Sequence, residues 1–380
     1  MRLAFITTYD STDVHAWSGT GYYIPEILKK SGLKIERIGN LHEKMPIAFK
    51  TKQQLYRTFL KKRYLRDREP SILMSYSRQV EKRLDKSKSD IIFSPSTLPI
   101  AYLQTEKPIV LWVDATFAGM IDFYPNFSNL CNESINNGNK VEQLALSKCR
   151  LAIYSSNWAA KSAILNYEVD PNKIKVIPFG ANIDCHRDLS DINEIFKAKS
   201  FKKCRLLFIG TDWKNKGGPA ALEVTKLLNK IGMNTELHIV GCTPQIRKYP
   251  FVTILGFISK RTEEGRKRLN NLFKESHFLI VPSQSECYGI VFAEASSFGL
   301  PSLTTNIGGI PTVVRNGING FRFEISDSIN KYCDCILGLM STKENYKDLA
   351  FSSFDEYNNR LNWIMAGEKV KTLLHNFVYI

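Results

Sequence analysis

The feature that most limits how this chain can fold is a rhythm that runs through it twice. Short apolar runs at residues 3–8, 33–39, 90–94, 108–113, 151–155 and 175–179 alternate with stretches of helical periodicity. The rhythm restarts after residue 200, with runs at 205–209, 235–240, 251–255, 278–281 and 301–305. Brief apolar runs closed by Gly, Pro or Ser read as buried strands, and strands that alternate with helices pair in parallel. Two such series predict an α/β protein of two Rossmann-like, doubly wound domains facing each other across a cleft.

The polar stretch 181–200, with a short helix expected at 192–198, reads as the linker. The expected boundaries are 1–185 for the first domain and 186–361 for the second. A last helix, about 362–380, carries Trp363, Ile364, Val370, Leu373, Leu374 and Phe377 at helical spacing, and is expected to cross back to the first domain.

The strongest local signal is residues 281–301, where Glu286 and Glu294 are separated by seven residues with Gly289 between them. A strand, a loop and a helix in succession put free backbone N–H groups at the carboxyl edge of a sheet. An anion site flanked by two acids suits a phosphate with hydroxyls on either side, as in a nucleotide sugar. At the other end of the chain, Gly19 and Gly21 let the backbone approach a ligand at the head of a helix beginning near Tyr22. Asp114 stands at the carboxyl end of a strand, the edge where open α/β sheets bind ligands.

Composition narrows the class. The 380 residues carry 52 Lys and Arg against 37 Asp and Glu, an excess of +15 that favours nucleic acid, anionic lipid or a phosphorylated substrate. No reader motif for nucleic acid is present, and neither half holds a G-x-G-x-x-G fingerprint, which disfavours hydride transfer. Eight cysteines (131, 149, 185, 204, 242, 287, 333 and 335) show no repeating spacing, as expected of reduced structural thiols. No apolar run reaches the roughly 18 residues of a membrane span, and the N-terminus reads as a first strand rather than a signal peptide. A cytoplasmic protein is expected.

Between Lys50 and Arg68, Leu55, Phe59 and Leu60 share a helical face beside Lys61, Lys62, Arg63, Arg66 and Arg68. Such a helix either rests on an anionic bilayer or turns its apolar stripe to its own core.

Taken together, several motifs resemble the retaining family-4 glycosyltransferases of the GT-B fold, across about 150 residues of the second half. The E-x7-E signature (Glu286, Glu294) is followed by Gly299-Leu-Pro301, Asn306-Ile-Gly-Gly309 and Asn316-Gly-Ile-Asn-Gly320. Val176-Ile-Pro-Phe-Gly180 is similar to the family's entry to the interdomain linker. The resemblance implies that Glu294 binds the ribose hydroxyls of a nucleotide donor and that Glu286 contacts the sugar. It implies that the backbone of Cys287, Tyr288, Gly289 and Ile290 meets the diphosphate or sugar. Relatives usually carry Pro and Phe where this chain has Cys287 and Tyr288.

In Gly210-Thr-Asp-Trp-Lys-Asn-Lys-Gly217, Lys216 matches a lysine that clamps the donor diphosphate, and Thr211 stands where relatives have an arginine. Lys214 is a possible replacement. Gly19 and Gly21 match the glycine loop facing the phosphates, and Asp114 falls where relatives carry a His or Asp near the transferred sugar.

The expected activity is retaining, metal-independent transfer of a sugar from a nucleotide diphosphate sugar, a UDP or GDP sugar ahead of an ADP sugar. The acceptor would be a glycan, a lipid-linked molecule or a small molecule, and no further cofactor is expected. Lys50–Arg68 is a candidate contact with the cytosolic membrane face. The rivals are another GT-B enzyme, such as a nucleotide-sugar epimerase, and a basic binding protein without catalysis.

Overall fold

A computed structural model describes residues 1–43, 46–184 and 186–378. Two compact units result: Met1–Pro178 joined by the chain from Ala366 onward, and Phe179–Met365.

The first unit is built on six parallel strands: β1 (Arg2–Ile6), β2 (Lys34–Ile38), β3 (Ile91–Ser94), β4 (Ile109–Val113), β5 (Cys149–Tyr154) and β6 (Ile174–Val176). They lie in the order β2-β1-β3-β4-β5-β6. The central strands are near-continuous hydrophobic runs because helices cover both faces of the sheet. In β4 every residue of Ile-Val-Leu-Trp-Val is buried.

The second unit repeats the plan with β7 (Cys204–Ile209), β8 (Thr235–Val240), β9 (Val252–Gly256), β10 (Phe278–Val281), β11 (Ser302–Thr305) and β12 (Gly320–Phe323), in the order β12-β11-β10-β7-β8-β9. Here the chain winds outward from β7 to β9, then starts again on the other side of β7 with β10. The reversal leaves a crevice outside the carboxyl ends of β7 and β10, where doubly wound sheets take their ligands. In the first unit the equivalent point lies between β1 and β3.

Every strand expected from the sequence is present. β12 was not expected, because Gly-Phe-Arg-Phe is short, only partly buried and follows a glycine-rich turn. The helix after β1 starts at Thr20 rather than Tyr22 and ends at Lys30, so Pro25 falls in its second turn, not its first. Its early start follows from three successive left-handed residues, Trp17 (φ 49°), Ser18 (φ 55°) and Gly19 (φ 94°), which turn the chain sharply into the helix. The linker helix is Leu189–Ala198, opened by Asp188, whose carboxylate accepts the backbone N–H groups of Ser190 and Asp191.

The last helix is Trp363–Val378. Val370 and Leu374 are buried, and Gly367 lies against Ile27 and Ser31, so the helix packs on Thr20–Lys30. The side chain of Phe377 and all of Cys185 lie outside the described residues. The other seven cysteines are free thiols.

Of the basic stretch only residues 50–59 lie in a helix, Pro46–Phe59; Lys61, Lys62 and Arg63 follow it in a loop, and Arg66–Arg68 form a separate short turn in which Arg68 is buried rather than on the expected basic face. Leu55 (50%) and Phe59 (75%) on this helix and Leu60 (60%) just after it are exposed. Among the described residues no helix is long and apolar enough to cross a membrane.

Candidate functional site

The crevice of the second unit is made by two loops that hold each other. The first, residues 210–217, leaves β7, and the second, 282–289, leaves β10. Asn215 laces them: its carbonyl accepts the N–H of Gln284 at 2.7 Å, and its side-chain oxygen accepts the Ser285 hydroxyl at 2.7 Å. Asp212 shapes the first loop by accepting the N–H groups of Lys214 and Asn215. Gly217 (φ 75°) opens the helix Gly218–Lys230 so close to the second loop that a Cβ there would collide with the carbonyl oxygen of Pro282. Only glycine meets both the left-handed φ and the close approach.

This packing brings Lys216 and Glu286 together. The lysine Nζ lies 2.5 Å from Glu286 Oε2, and the two side chains are 19% and 11% exposed. Glu286 is held from behind as well, since its carbonyl accepts the N–H of Gly309 at 3.0 Å. Gly210 packs against the aliphatic stem of Lys216, leaving no room for a side chain of its own.

Gly289 adopts the left-handed conformation (φ 85°, ψ 64°) and caps the short helix Ile290–Ser296. The side chains of Cys287 and Tyr288, the two departures from the family pattern, are buried. The Tyr288 hydroxyl donates to the carbonyl of Phe179 at 2.5 Å and its ring packs edge-on to Phe179, so this tyrosine anchors the loop. Burial pushes its phenol well above the usual tyrosine range.

Glu294 sits in that helix and is 2% exposed. Its Oε1 is bonded to Lys260 Nζ, and the lysine also donates to the carbonyl of Asn182 at 3.3 Å. Burial pushes the Glu294 carboxyl upward, while Lys260 and the backbone N–H of Asn182 pull it back toward the charged form. Asn182 is itself fixed, its Oδ1 accepting from Trp363 Nε1 at 3.0 Å. The helix is tied from below by Asn319 of the Asn316–Gly320 motif, which donates to Ser296 Oγ and to the Val313 carbonyl.

The structure therefore brings Lys216, Glu286, Gly210 and Gly289 onto two interlocked loops, with Glu294 one helix turn on. Thr211 and Lys214 are exposed on the first loop. Lys260 and Asn182 were missed in the sequence. Lys260 lies 34 positions before its acid, in an ordinary polar loop after β9, and no motif marks it.

In the first unit, Asp114 follows β4 directly and is partly buried, while Gly19, in the turn after β1, and Gly21, in the first turn of the helix Thr20–Lys30, are buried. Gly21 is pressed against the ring and hydroxyl of Tyr9. The Tyr9 hydroxyl is buried without a hydrogen-bond partner among the described residues. Burial, and then the nearby Asp114 charge, push its phenol well above the usual range.

Beneath this edge Glu142 is buried. Its Oε2 accepts the Thr97 hydroxyl at 3.0 Å, and the carboxyl also accepts the backbone N–H of Phe117. These contacts join the loops after β3 and β4, and burial pushes the Glu142 carboxyl up to about 7.

Residues 203–342 match the family described as glycosyl transferases group 1. That match covers part of the second unit, and the two six-stranded parallel sheets are those of the GT-B fold, as the motifs led us to expect.

The chain is 25% identical over 313 residues to the UDP-Gal:alpha-D-GlcNAc-diphosphoundecaprenol alpha-1,3-galactosyltransferase of Escherichia coli, covering 78% of each chain. It is 26% identical over 195 residues to an uncharacterized 41.2 kDa protein in the cps region of Klebsiella pneumoniae, spanning 50% of this chain and about half (51%) of that relative. Its fold is similar to that of HepE from Anabaena in complex with UDP and glucose, with a TM-score of 0.64, 15% identity and 99% of each chain covered. Sugar transfer is the class of activity these comparisons support.

Proposed function

We propose that this chain transfers a sugar from a nucleotide diphosphate sugar to an acceptor with retention at the anomeric carbon, without a metal ion. The observation that carries the reading is the Lys216–Glu286 ion pair beside the buried Glu294, at the point where the second sheet reverses its strand order.

In this reading the ribose diol bonds to Glu294, and Lys216 with the N–H groups about Gly289 takes the diphosphate. Glu286 contacts the sugar. The leaving group is anionic, so the largest stabilising effect is electrostatic: a largely buried lysine already held by an acid needs little reorganisation when charge develops on the phosphate. A bidentate carboxylate suits a diol, and backbone N–H donors suit a pyrophosphate. Retention follows the family pattern, in which the acceptor hydroxyl attacks on the leaving-group face and the departing phosphate takes its proton. Lysine supplies the positive charge that a metal would otherwise bring. With Thr211 in place of arginine, the first loop offers Lys216 as its donor-facing cation. Asp114, Gly19 and Gly21 are the first unit's contribution, assigned on the resemblance.

UDP sugars are the first donors to try, because the Escherichia coli relative is named for UDP-Gal and the Anabaena structure holds UDP. The same relative is named for a diphosphoundecaprenol substrate, which supports a lipid-linked acceptor. The outward-turned Leu55, Phe59 and Leu60 beside exposed Lys61, Lys62 and Arg63 support a peripheral seat on an anionic membrane face.

The test is a melting panel of UDP, GDP and ADP sugars, since a bound donor raises Tm by mass action. It is followed by product analysis with a polyprenyl-diphosphate sugar acceptor and a donor-only control. An α-linked product from an α-linked donor is expected. Turnover of the donor with no acceptor present would instead indicate an epimerase.

A further inference from the structure

We propose that Lys260 is a positioning residue of the donor site: it keeps Glu294 ionised, so that both carboxylate oxygens can accept the hydroxyls of the donor ribose. The proposal rests on the reading of Glu294 as the ribose acid.

Three observations carry it. First, Glu294 is 2% exposed, so water does little to stabilise its charge, and a lone buried carboxylate takes up a proton instead. Second, the groups that face it are few. Lys260 reaches Oε1 from the loop after β9, and the Asn182 N–H approaches from the start of the second unit. From its own helix, Ser297 Oγ bonds the Glu294 carbonyl at 2.7 Å rather than the carboxylate. Arg187, which reaches the end of that helix, is bonded to the Ser297 carbonyl at 2.9 Å and lies over the face of Phe298. Lys216 is committed to Glu286. Lys260 is therefore the cation assigned to Glu294.

Third, Lys260 is held in place. Its second bond goes to the carbonyl of Asn182, whose side chain is pinned by Trp363. An ammonium bonded to one carboxylate oxygen and one carbonyl can stay while a diol approaches the carboxylate. A protonated Glu294 would turn one oxygen into a donor, and one of the two ribose hydroxyls would lose its acceptor.

The experiment measures binding of UDP or GDP, whichever raises the wild-type Tm, from pH 5.5 to 8.5 by calorimetry. Wild type, Lys260→Met, Lys260→Arg, Glu294→Gln and the Lys260→Met/Glu294→Gln pair are compared, each also with the 2′-deoxynucleotide. We expect a nearly flat profile for wild type and Lys260→Arg. Lys260→Met should bind about tenfold more weakly at the acid end and recover toward pH 8.5, as expected when one charge-assisted hydrogen bond is lost. The double variant should bind no worse than Glu294→Gln alone, because both changes remove the same anion.

A Lys260→Met protein that binds like wild type at every pH overturns the proposal. So does one weakened equally at all pH values with losses additive to Glu294→Gln, which would mark a direct contact to phosphate. Tighter binding in Lys260→Met would mean that the lysine competes with the diol, and also overturns it. The underlying reading fails separately, by Glu294→Gln leaving affinity and 2′-deoxy discrimination unchanged, or by wild type binding no nucleotide.

Discussion

Lys216 and Glu286 form an ion pair, Nζ to Oε2 at 2.5 Å, although 69 residues separate them in sequence. Each comes from the loop leaving a different central strand of the second sheet, and Asn215 fastens those loops to each other. The lysine that would meet a diphosphate is thus already aimed and largely desolvated before any ligand arrives.

Lys216→Met should lower kcat/KM by about 10²–10³, the loss typical of one prepaid electrostatic contact to developing charge. Glu286→Gln should couple to it, so the pair of changes costs less than the sum of the single ones. Steady-state kinetics with the donor found in the melting panel checks both. Wild-type kinetics for Lys216→Met would remove that residue from the site.

Gly217→Ala should destabilise the second unit by about 2–5 kcal/mol, combining a left-handed backbone with a clash against Pro282. Urea unfolding reads the loss. A variant that keeps its midpoint would mean that the two loops are not pressed together as described.

Glu142 gives stability a pH dependence of a definite sign. Its folded-state value of about 7 lies above the ordinary 4.5, so the folded protein holds a proton that the unfolded chain releases between those two values. This group's contribution is greatest below pH 4.5 and falls as pH rises toward 7, by up to about 3 kcal/mol. Glu142→Gln lacks the ionisation, so its stability relative to wild type should rise between pH 5 and pH 8. Denaturant midpoints at the two pH values decide it, and equal differences would refute it.

Leu55→Glu/Phe59→Glu should abolish co-sedimentation with vesicles rich in anionic lipid while leaving Tm within a degree or two, because both side chains already lie in solvent. Sedimentation unaffected by the change, or by 0.5 M salt, would send the search for a lipid contact elsewhere; salt at that strength screens surface charge beyond about 4 Å.

Much of the second unit could be read before any coordinates. Glycine, proline and the acids of residues 281–301 announce a strand, a tight turn and a short helix, because local backbone geometry is written in those residue types. β12 stayed hidden, since a four-residue strand of mixed burial has no period to detect. The head of the helix at Thr20 was misplaced for a similar reason: Trp17 and Ser18 hold left-handed angles that their residue types do not advertise.

Residue order alone established the α/β class, eleven of the twelve strands (all but β12), and the pairing of Glu286 with Glu294 as one motif. Those features depend on hydrophobic periodicity and turn chemistry, which act over a few neighbours. Which cation meets which acid was settled by folding. Lys260 reaches Glu294 and Lys216 reaches Glu286 because the strand order brings separate loops to one sheet edge, and side chains far apart in the chain compete there for the same buried charge. The acids of residues 281–301 were visible as letters; their lysines became visible only once the loops were in place.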